Sequence, residues 1–363
     1  MTAENGSCVV IAGGGTGGHA IPALCVAESL RRLGAEVQFI GSTGGIETTL
    51  VPQAGFQLHS LPLAGFTGGP TARLKAGALF ARAVTKCRKV LSELRPVSVL
   101  GVGGYASAPA VAAARTLGLP TFLHEQNSVP GRVNRLAGRF TRENFVTFPA
   151  AAENLPNAIE VGMPTRQEFF DVSQSEALEE LALEPPVALV FGGSGGALKL
   201  NTAAEEAFRR KDSTDYTVVQ VAGKRDFPKL STDNTRHVVL EYAGDIWRYV
   251  AAADVVVSRA GAGSLFDLAA VGRASVLVPF PYATGDHQLH NARYFTERGA
   301  AELLSDREVD AGSVRSRVEG LLGDAGRREE LARNMKSLAT PGAADAVAER
   351  LVRAGEPEGK ERR

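Results

Sequence analysis

A histidine directly after a run of glycines sits where a proton could be taken beside a bound anion. The chain has one in Val9-Val10-Ile11-Ala12-Gly13-Gly14-Gly15-Thr16-Gly17-Gly18-His19. The four apolar residues read as a buried parallel strand, and Ala20 to Leu33 continue at helical spacing. A strand that enters a helix through glycines leaves unpaired backbone N–H groups at the helix start. With the positive end of the helix dipole these form an anion site, usually for phosphate. Glycine allows this because it has no Cβ to block close approach and adopts positive φ freely. The same positive end disfavours imidazolium at His19, leaving the neutral ring that a general base requires. The plainer alternative is a surface histidine at a capping position.

Two more glycine turns follow, Gly101-Val102-Gly103-Gly104-Tyr105 and Gly192-Gly193-Ser194-Gly195-Gly196. Ser194 either meets a phosphate or merely caps the helix expected over Ala197–Phe208, a cap worth about 1 kcal/mol. Gly13, Gly15 and Gly18 fit the dinucleotide pattern G-x-G-x-x-G, which alone is a weak signal. A dinucleotide fold also wants an acid after the second strand to hold the ribose. That strand, Val37 to Ile40, runs into Gly41-Ser42-Thr43 with no carboxylate at its end, so the dehydrogenase reading loses most of its weight. A P-loop is excluded because no Gly-Lys-Ser/Thr follows.

The elements that position these turns come in two similar sets. Apolar runs at Cys8–Ala12, Val37–Ile40, Val97–Gly101, Thr121–Leu123 and Asn144–Thr147 alternate with helical patterns. A second set runs through Val187–Phe191, Thr217–Val221, Val238–Leu240, Asp254–Ser258 and Ser275–Pro279. Such alternation predicts α/β domains with parallel sheets. Two Rossmann-like halves in tandem place their turns at the carboxyl ends of strands, and facing each other they would enclose one central cleft. The pattern breaks near Val161–Pro164, which divides the chain into residues 1–163, 164–340, and a C-terminal helix with a charged tail over 341–363. The tail from Glu356 is apolar-poor and expected to be disordered.

At 363 residues the chain is long enough for two ordinary domains, with 44% hydrophobic residues, 22% charged and a formal net charge of zero. Zero net charge argues against a general nucleic-acid binder. Cys8, Cys25 and Cys87 form no C-x-x-C pair and read as core residues of a reduced, cytosolic protein. Met1 to Ser7 carry an acid and no basic stretch, so no signal peptide is expected. No apolar run reaches the roughly 18 residues a membrane span needs.

With these motifs in order, the chain resembles the MurG family, bacterial transferases that add N-acetylglucosamine to the lipid-linked muramoyl-pentapeptide of peptidoglycan. The resemblance rests on GGGTGGH, GVGGYASAP and GGSGGA, on His124-Glu125-Gln126-Asn127 with Val129-Pro130-Gly131, on Ser258-Arg259-Ala260-Gly261-Ala262, and on His287-Gln288 with Asn291-Ala292. It runs from about Cys8 to past Gly342. The family implies a GT-B fold, UDP-N-acetylglucosamine as donor, inversion at the sugar carbon, and no metal or other cofactor. The absence of an Asp-x-Asp of the metal-holding kind agrees independently.

Carried over by position, the resemblance implies donor contacts at Thr16, Gly17, Gly18, Asn127, Arg166, Ser194, Ala243, the run Ala262, Gly263, Ser264, Leu265, Phe266 and Asp267, and Gln288. Gly103, Gly104 and Tyr105 would line the acceptor diphosphate, although Tyr105 reads equally as core. His19 is the first candidate base and Glu125 its rival. Four positions depart from the family. Asp267 stands where Glu is usual, Gly195 replaces Gln or Leu, Met163 replaces Asn, and His287 replaces a second Gln in some members. Asp267 also fits a helix N-terminus with Ser264, and Arg166 an ordinary surface arginine.

The segment from Arg73 to Leu91 contains six basic residues and no acid. At helical spacing Lys75, Arg82, Lys86 and Lys89 share one stripe, with Phe80, Val84, Cys87 and Leu91 on the opposite face. Such a helix either is simply solvated or rests on an anionic leaflet. The lipid-borne acceptor favours the second, a peripheral enzyme at the cytoplasmic face of the cell membrane. Two other readings stand beside the transferase: a UDP-N-acetylglucosamine 2-epimerase on the same fold, and a non-catalytic sugar-nucleotide binder.

Overall fold

The computed structural model describes residues 6–63, 70–193, 196–211 and 213–355, the side chains of 70–74 apart. Ser194, Gly195 and the 356–363 tail lie outside the described residues. The chain divides into two compact units, Met1–Pro164 with Gly342–Arg363, and Thr165–Pro341.

The first unit contains seven strands: β1 Cys8–Ala12, β2 Glu36–Ser42, β3 Gln57–Leu61, β4 Ser98–Gly101, β5 Thr121–Glu125, β6 Glu143–Val146 and β7 Ala158–Glu160. They form one sheet in the order β3-β2-β1-β4-β5-β6-β7, and every neighbouring pair is parallel. A central strand covered on both faces needs a continuous apolar sequence, and Val9 to Ala12 are all fully buried. The main helices are α1 Gly17–Arg32, α2 Glu47–Gln53, α3 Pro70–Leu94 and α4 Gly104–Thr116. α1 begins three residues before the apolar spacing places it, because the Thr16 carbonyl already accepts from the N–H groups of His19 and Ala20.

Chain order reverses between β1 and β4. The turns that leave these two strands therefore open onto the same crevice at the carboxyl edge of the sheet. The strands that sequence reading missed, β3 and β7, are the two edges. Half-exposed and polar (Gln57-Leu58-His59-Ser60-Leu61), β3 lacks the apolar run that marks an interior strand.

The helix Ala343–Arg353 returns to the first unit. Val347, Ala348 and Leu351 are fully buried in one cluster with Ala27 and Leu30 of α1. Asp345 meets Arg32 at 2.7 Å and Arg350 meets Glu143 at 3.2 Å, but both pairs are partly exposed and contribute little. Anchoring of this helix is thus apolar. Leu351→Ala is expected to cost about 2–5 kcal/mol, read from urea unfolding of the full chain.

The second unit repeats the plan with β8 Val187–Phe191, β9 Thr217–Val221, β10 His237–Leu240, β11 Val255–Arg259, β12 Ala274–Val278 and β13 Glu302–Leu303. Their order is β10-β9-β8-β11-β12-β13, again all parallel, with the reversal between β8 and β11. Its core joins Ala188, Val190, Val255 and Val257 to Leu200, Phe208, Val314 and Leu331. The edge strand β13 has two residues and no sequence signature.

Candidate active site

Both glycine turns of the first unit lie at its crevice, and each needs its glycines because the other is close. Gly13, Gly14 and Gly15 have φ of +146°, +143° and +91°, and Gly103 and Gly104 have +88° and +71°. A Cβ on Gly104 would stand 3.1 Å from the Gly14 carbonyl oxygen, and one on Gly103 would stand 3.2 Å from the His19 ring. His19 is half-buried there, its Nδ1 3.1 Å from Thr16 Oγ1. Tyr105, on the first turn of α4, is 44% exposed, which removes the core alternative for it.

Fewer main-chain donors are free at the first turn than its glycine count implies. The Gly13 N–H donates to the Ile40 carbonyl at 3.0 Å, and the Gly15 N–H donates to Glu47 Oε2 at 2.6 Å. Among the described residues the N–H groups of Gly17 and Gly18, at the first two positions of α1, have no internal partner. Glu47 is a carboxylate sequence reading did not bring to this turn. It lies five residues past the end of β2 and folds back beneath the loop, accepting also from the Ser42 N–H (2.9 Å) and Oγ–H (2.8 Å). Burial alone would raise its pKa. The donors from Gly15, from its own backbone and from Ser42 outweigh that and hold it below the usual range.

β5 delivers the His-Glu-Gln-Asn block to the same edge. His124 is fully buried with Nε2 3.2 Å from the Gly162 carbonyl oxygen. Burial first, and then repulsion from His19, push it down to about 4, against the opposing effect of the Gly162 bond, so it is neutral at physiological pH. Glu125 is 2% exposed and accepts from the Asn127 N–H (3.0 Å), the Gly131 N–H (2.9 Å) and Asn134 Nδ2 (2.9 Å). Burial raises its pKa, and these donors pull it back without cancelling the rise. Its oxygens thus shape the turn that carries the half-buried Asn127.

In the second unit β11 ends at a helix start. Gly261 is the cap of helix Ala262–Val271, and no side chain caps it. Gly263, Ser264 and Asp267 lie on its partly exposed face, whereas Ala262, Leu265 and Phe266 are buried, as is Ala243. Asp267 is pushed up to about 7 by burial, with Arg166 pulling it the other way. The Arg166 guanidinium lies over the rings of Phe169 (5.0 Å) and Trp247 (5.1 Å), and its buried Nε has no hydrogen-bond partner. Gln288 Oε1 accepts the Phe280 N–H at 2.9 Å. Ser194 and Gly195 lie outside the described residues, and Gly193 and Gly196 beside them have φ of +82° and +72°.

In the sequence Arg259 stands out only as part of the Ser258–Ala262 motif. The structure makes it the brace of this edge. Buried at the end of β11, it meets Asp306 at 2.6 Å and donates to the Val278 and Pro279 carbonyls at 3.3 Å each. A charged residue closing an apolar strand was the available signal.

Two parallel-sheet units, each with glycine-rich turns at its point of strand reversal, are the parts of a glycosyltransferase of the GT-B type. Residues 9–146 match the glycosyltransferase family 28 N-terminal domain and residues 187–349 its C-terminal domain. A protein of Rubrobacter xylanophilus named UDP-N-acetylglucosamine–N-acetylmuramyl-(pentapeptide) pyrophosphoryl-undecaprenol N-acetylglucosamine transferase is 65% identical over 91% of this chain and 98% of its own length. The chain belongs to glycosyltransferase family 28, within the group of these MurG transferases. Acinetobacter baumannii MurG, a solved structure, superposes with a TM-score of 0.76 at 26% identity, over 95% of this chain and 99% of that one. A putative UDP-N-acetylglucosamine 2-epimerase from Listeria monocytogenes shares the fold (TM-score 0.70, 95% of each chain) at only 14% identity.

Proposed function

We propose that this protein transfers N-acetylglucosamine from UDP-N-acetylglucosamine to the C4 hydroxyl of undecaprenyl-pyrophosphoryl-N-acetylmuramoyl-pentapeptide. The observation that carries this is the 65% identity to a transferase so named, matched along 98% of its length. The second unit takes the donor, with the amides opening helix Ala262–Val271 and the 192–196 turn at the diphosphate and Asp267 at the ribose. The first unit takes the acceptor, its diphosphate at Gly17, Gly18 and the Gly103–Tyr105 turn.

His19 takes the proton of the C4 hydroxyl as its oxygen attacks the anomeric carbon. The bond from that carbon to the UDP oxygen breaks, the configuration inverts, and the departing negative charge is met by main-chain amides aimed at it. Glu125 holds the Asn127 turn in shape. Purified protein, radiolabelled UDP-N-acetylglucosamine and the lipid-linked acceptor test this directly. A β-linked disaccharide on the lipid is expected. Interconversion of the UDP-sugar without acceptor would establish the epimerase instead, and donor binding without transfer a mere binder.

An acceptor held in a bilayer requires the enzyme to reach the cytoplasmic face of the membrane. α3 exposes Lys75, Arg82, Lys86 and Lys89 and buries Ala76, Ala83, Cys87 and Leu91. Arg88 donates to Thr116 Oγ1 at 2.7 Å, and the neighbouring Arg115 lines, with Arg139, Phe140 and Arg142, an open pocket of about 440 Å³. Phe140 is 60% exposed. No helix among the described residues is long and apolar enough to cross a membrane. At about 1 kcal/mol per basic residue near an anionic surface, the triple change of Lys75, Arg82 and Lys89 to Gln is expected to weaken flotation with anionic vesicles about a hundredfold. Binding to neutral vesicles should not change.

A further inference from the structure

Glu47 is a buried carboxylate, 1% exposed, that no cationic side chain among the described residues pairs with. Main-chain and hydroxyl donors alone hold it: Gly15 N–H on one oxygen, Ser42 N–H and Oγ–H on the other. The surrounding sequence is cut to fit it. A Cβ on Gly14, on Gly41 or on Gly45 would overlap the Glu47 side chain. Three glycines, one in the loop after β1, one near the end of β2 and one in the turn before α2, therefore clear space for one acid.

A buried unpaired charge is costly unless its hydrogen bonds are complete. Here one of them is made to the middle of the loop that leads into α1, and the other two to Ser42 at the end of β2. The Gly15 N–H is fixed at 2.6 Å while Gly13 is fixed through Ile40. The next residues, Thr16 to His19, start from that fixed point. The loop thus works as a rigid mount, and its anion-binding amides begin at Gly17.

We propose that Glu47 is a positioning residue for the transfer step: from below the glycine loop it sets the place of Thr16 and His19 at the crevice. This rests on His19 being the base of the proposed transfer. Glutamine at position 47 keeps the shape but presents one amide NH2 to a main-chain N–H, so either Gly15 or Ser42 loses its acceptor. A reacting group displaced by about 1 Å is expected to cost up to about a hundredfold in rate.

The test is Glu47→Gln in the full chain, assayed with donor and lipid acceptor, beside a spectroscopic readout of the Gly15 amide in glycine-labelled protein. Wild type is expected to show Gly15 N–H far downfield and protected from exchange, a signature lost in the variant. The variant's kcat is expected to fall about 10–100-fold, with KM for UDP-N-acetylglucosamine and the thermal shift with UDP unchanged within twofold.

A variant kcat within threefold of wild type overturns the proposal. So does a donor KM that rises as kcat falls, since Glu47 would then support the whole chain. Should the variant not fold, the wild-type amide decides: an ordinary, fast-exchanging Gly15 signal overturns the proposal, and a protected downfield one supports it. Absence of transfer by wild type itself overturns the assigned function, while the amide still reports whether the mount exists.

Discussion

His19→Ala is expected to lower turnover by about 10²–10⁴, the range a positioned general base contributes, and to leave the affinity for UDP unchanged. The hydrogen bond to Thr16 gives the reason for the size of the effect. Thr16 Oγ1 lies 3.1 Å from Nδ1, and a hydroxyl there can accept from Nδ1–H. In the tautomer that donates in this way Nε2 carries the lone pair, and Nε2 is the nitrogen that faces Gly103. Thr16→Val removes this constraint and should cost a smaller factor on the same readout. Glu125 makes a poor competitor, because three N–H groups already occupy its two oxygens. Normal turnover in His19→Ala, measured with both substrates saturating, would remove the assignment.

The interior of the fold was legible in the sequence because a parallel strand buried on both faces must be apolar along its whole length. β1 and β8 obey that rule, and β5 and β11 depart from it mainly at their carboxyl ends, where His124, Glu125, Ser258 and Arg259 stand. The edges β3, β7 and β13 are freed from it and leave no such trace. The glycine turns were legible for a related reason: positive φ at Gly13, Gly103 and Gly196 admits few other residues. What those turns touch was not legible. Glycine marks close approach without saying to what, and both a phosphate and a carboxylate satisfy it. Gly14 gives way to Glu47, thirty-three residues later in the chain, and Gly103 to His19, a meeting made only by the β1–β4 reversal. The run Ala262–Asp267 divides likewise, because helical phase sends Leu265 and Phe266 into the core and leaves Ser264 and Asp267 half-buried.

The raised carboxyl of Asp267 predicts a pH dependence for donor binding that runs opposite to its effect on stability. A ribose offers two hydroxyl donors, and the ionised carboxylate can accept both, whereas the acid has turned one of its oxygens into an O–H donor and keeps one good acceptor. With the group titrating at about 7, the competent fraction falls about tenfold per pH unit below that point. Affinity for UDP-N-acetylglucosamine is therefore expected to be about a hundredfold weaker at pH 5 than on its alkaline plateau. This donor suits the measurement, since its diphosphate is diesterified and does not titrate in the range. In the unliganded protein the sign reverses. A folded pKa above the unfolded one means that the native state binds the extra proton, so this group's contribution is fully present below about pH 4 and is lost as pH rises through about 7. Asp267→Asn should abolish both trends together, holding donor affinity near its acid value at every pH. Calorimetric titrations between pH 5 and 8 on the two proteins measure this, and a wild-type affinity that stays level across the range would place the ribose elsewhere.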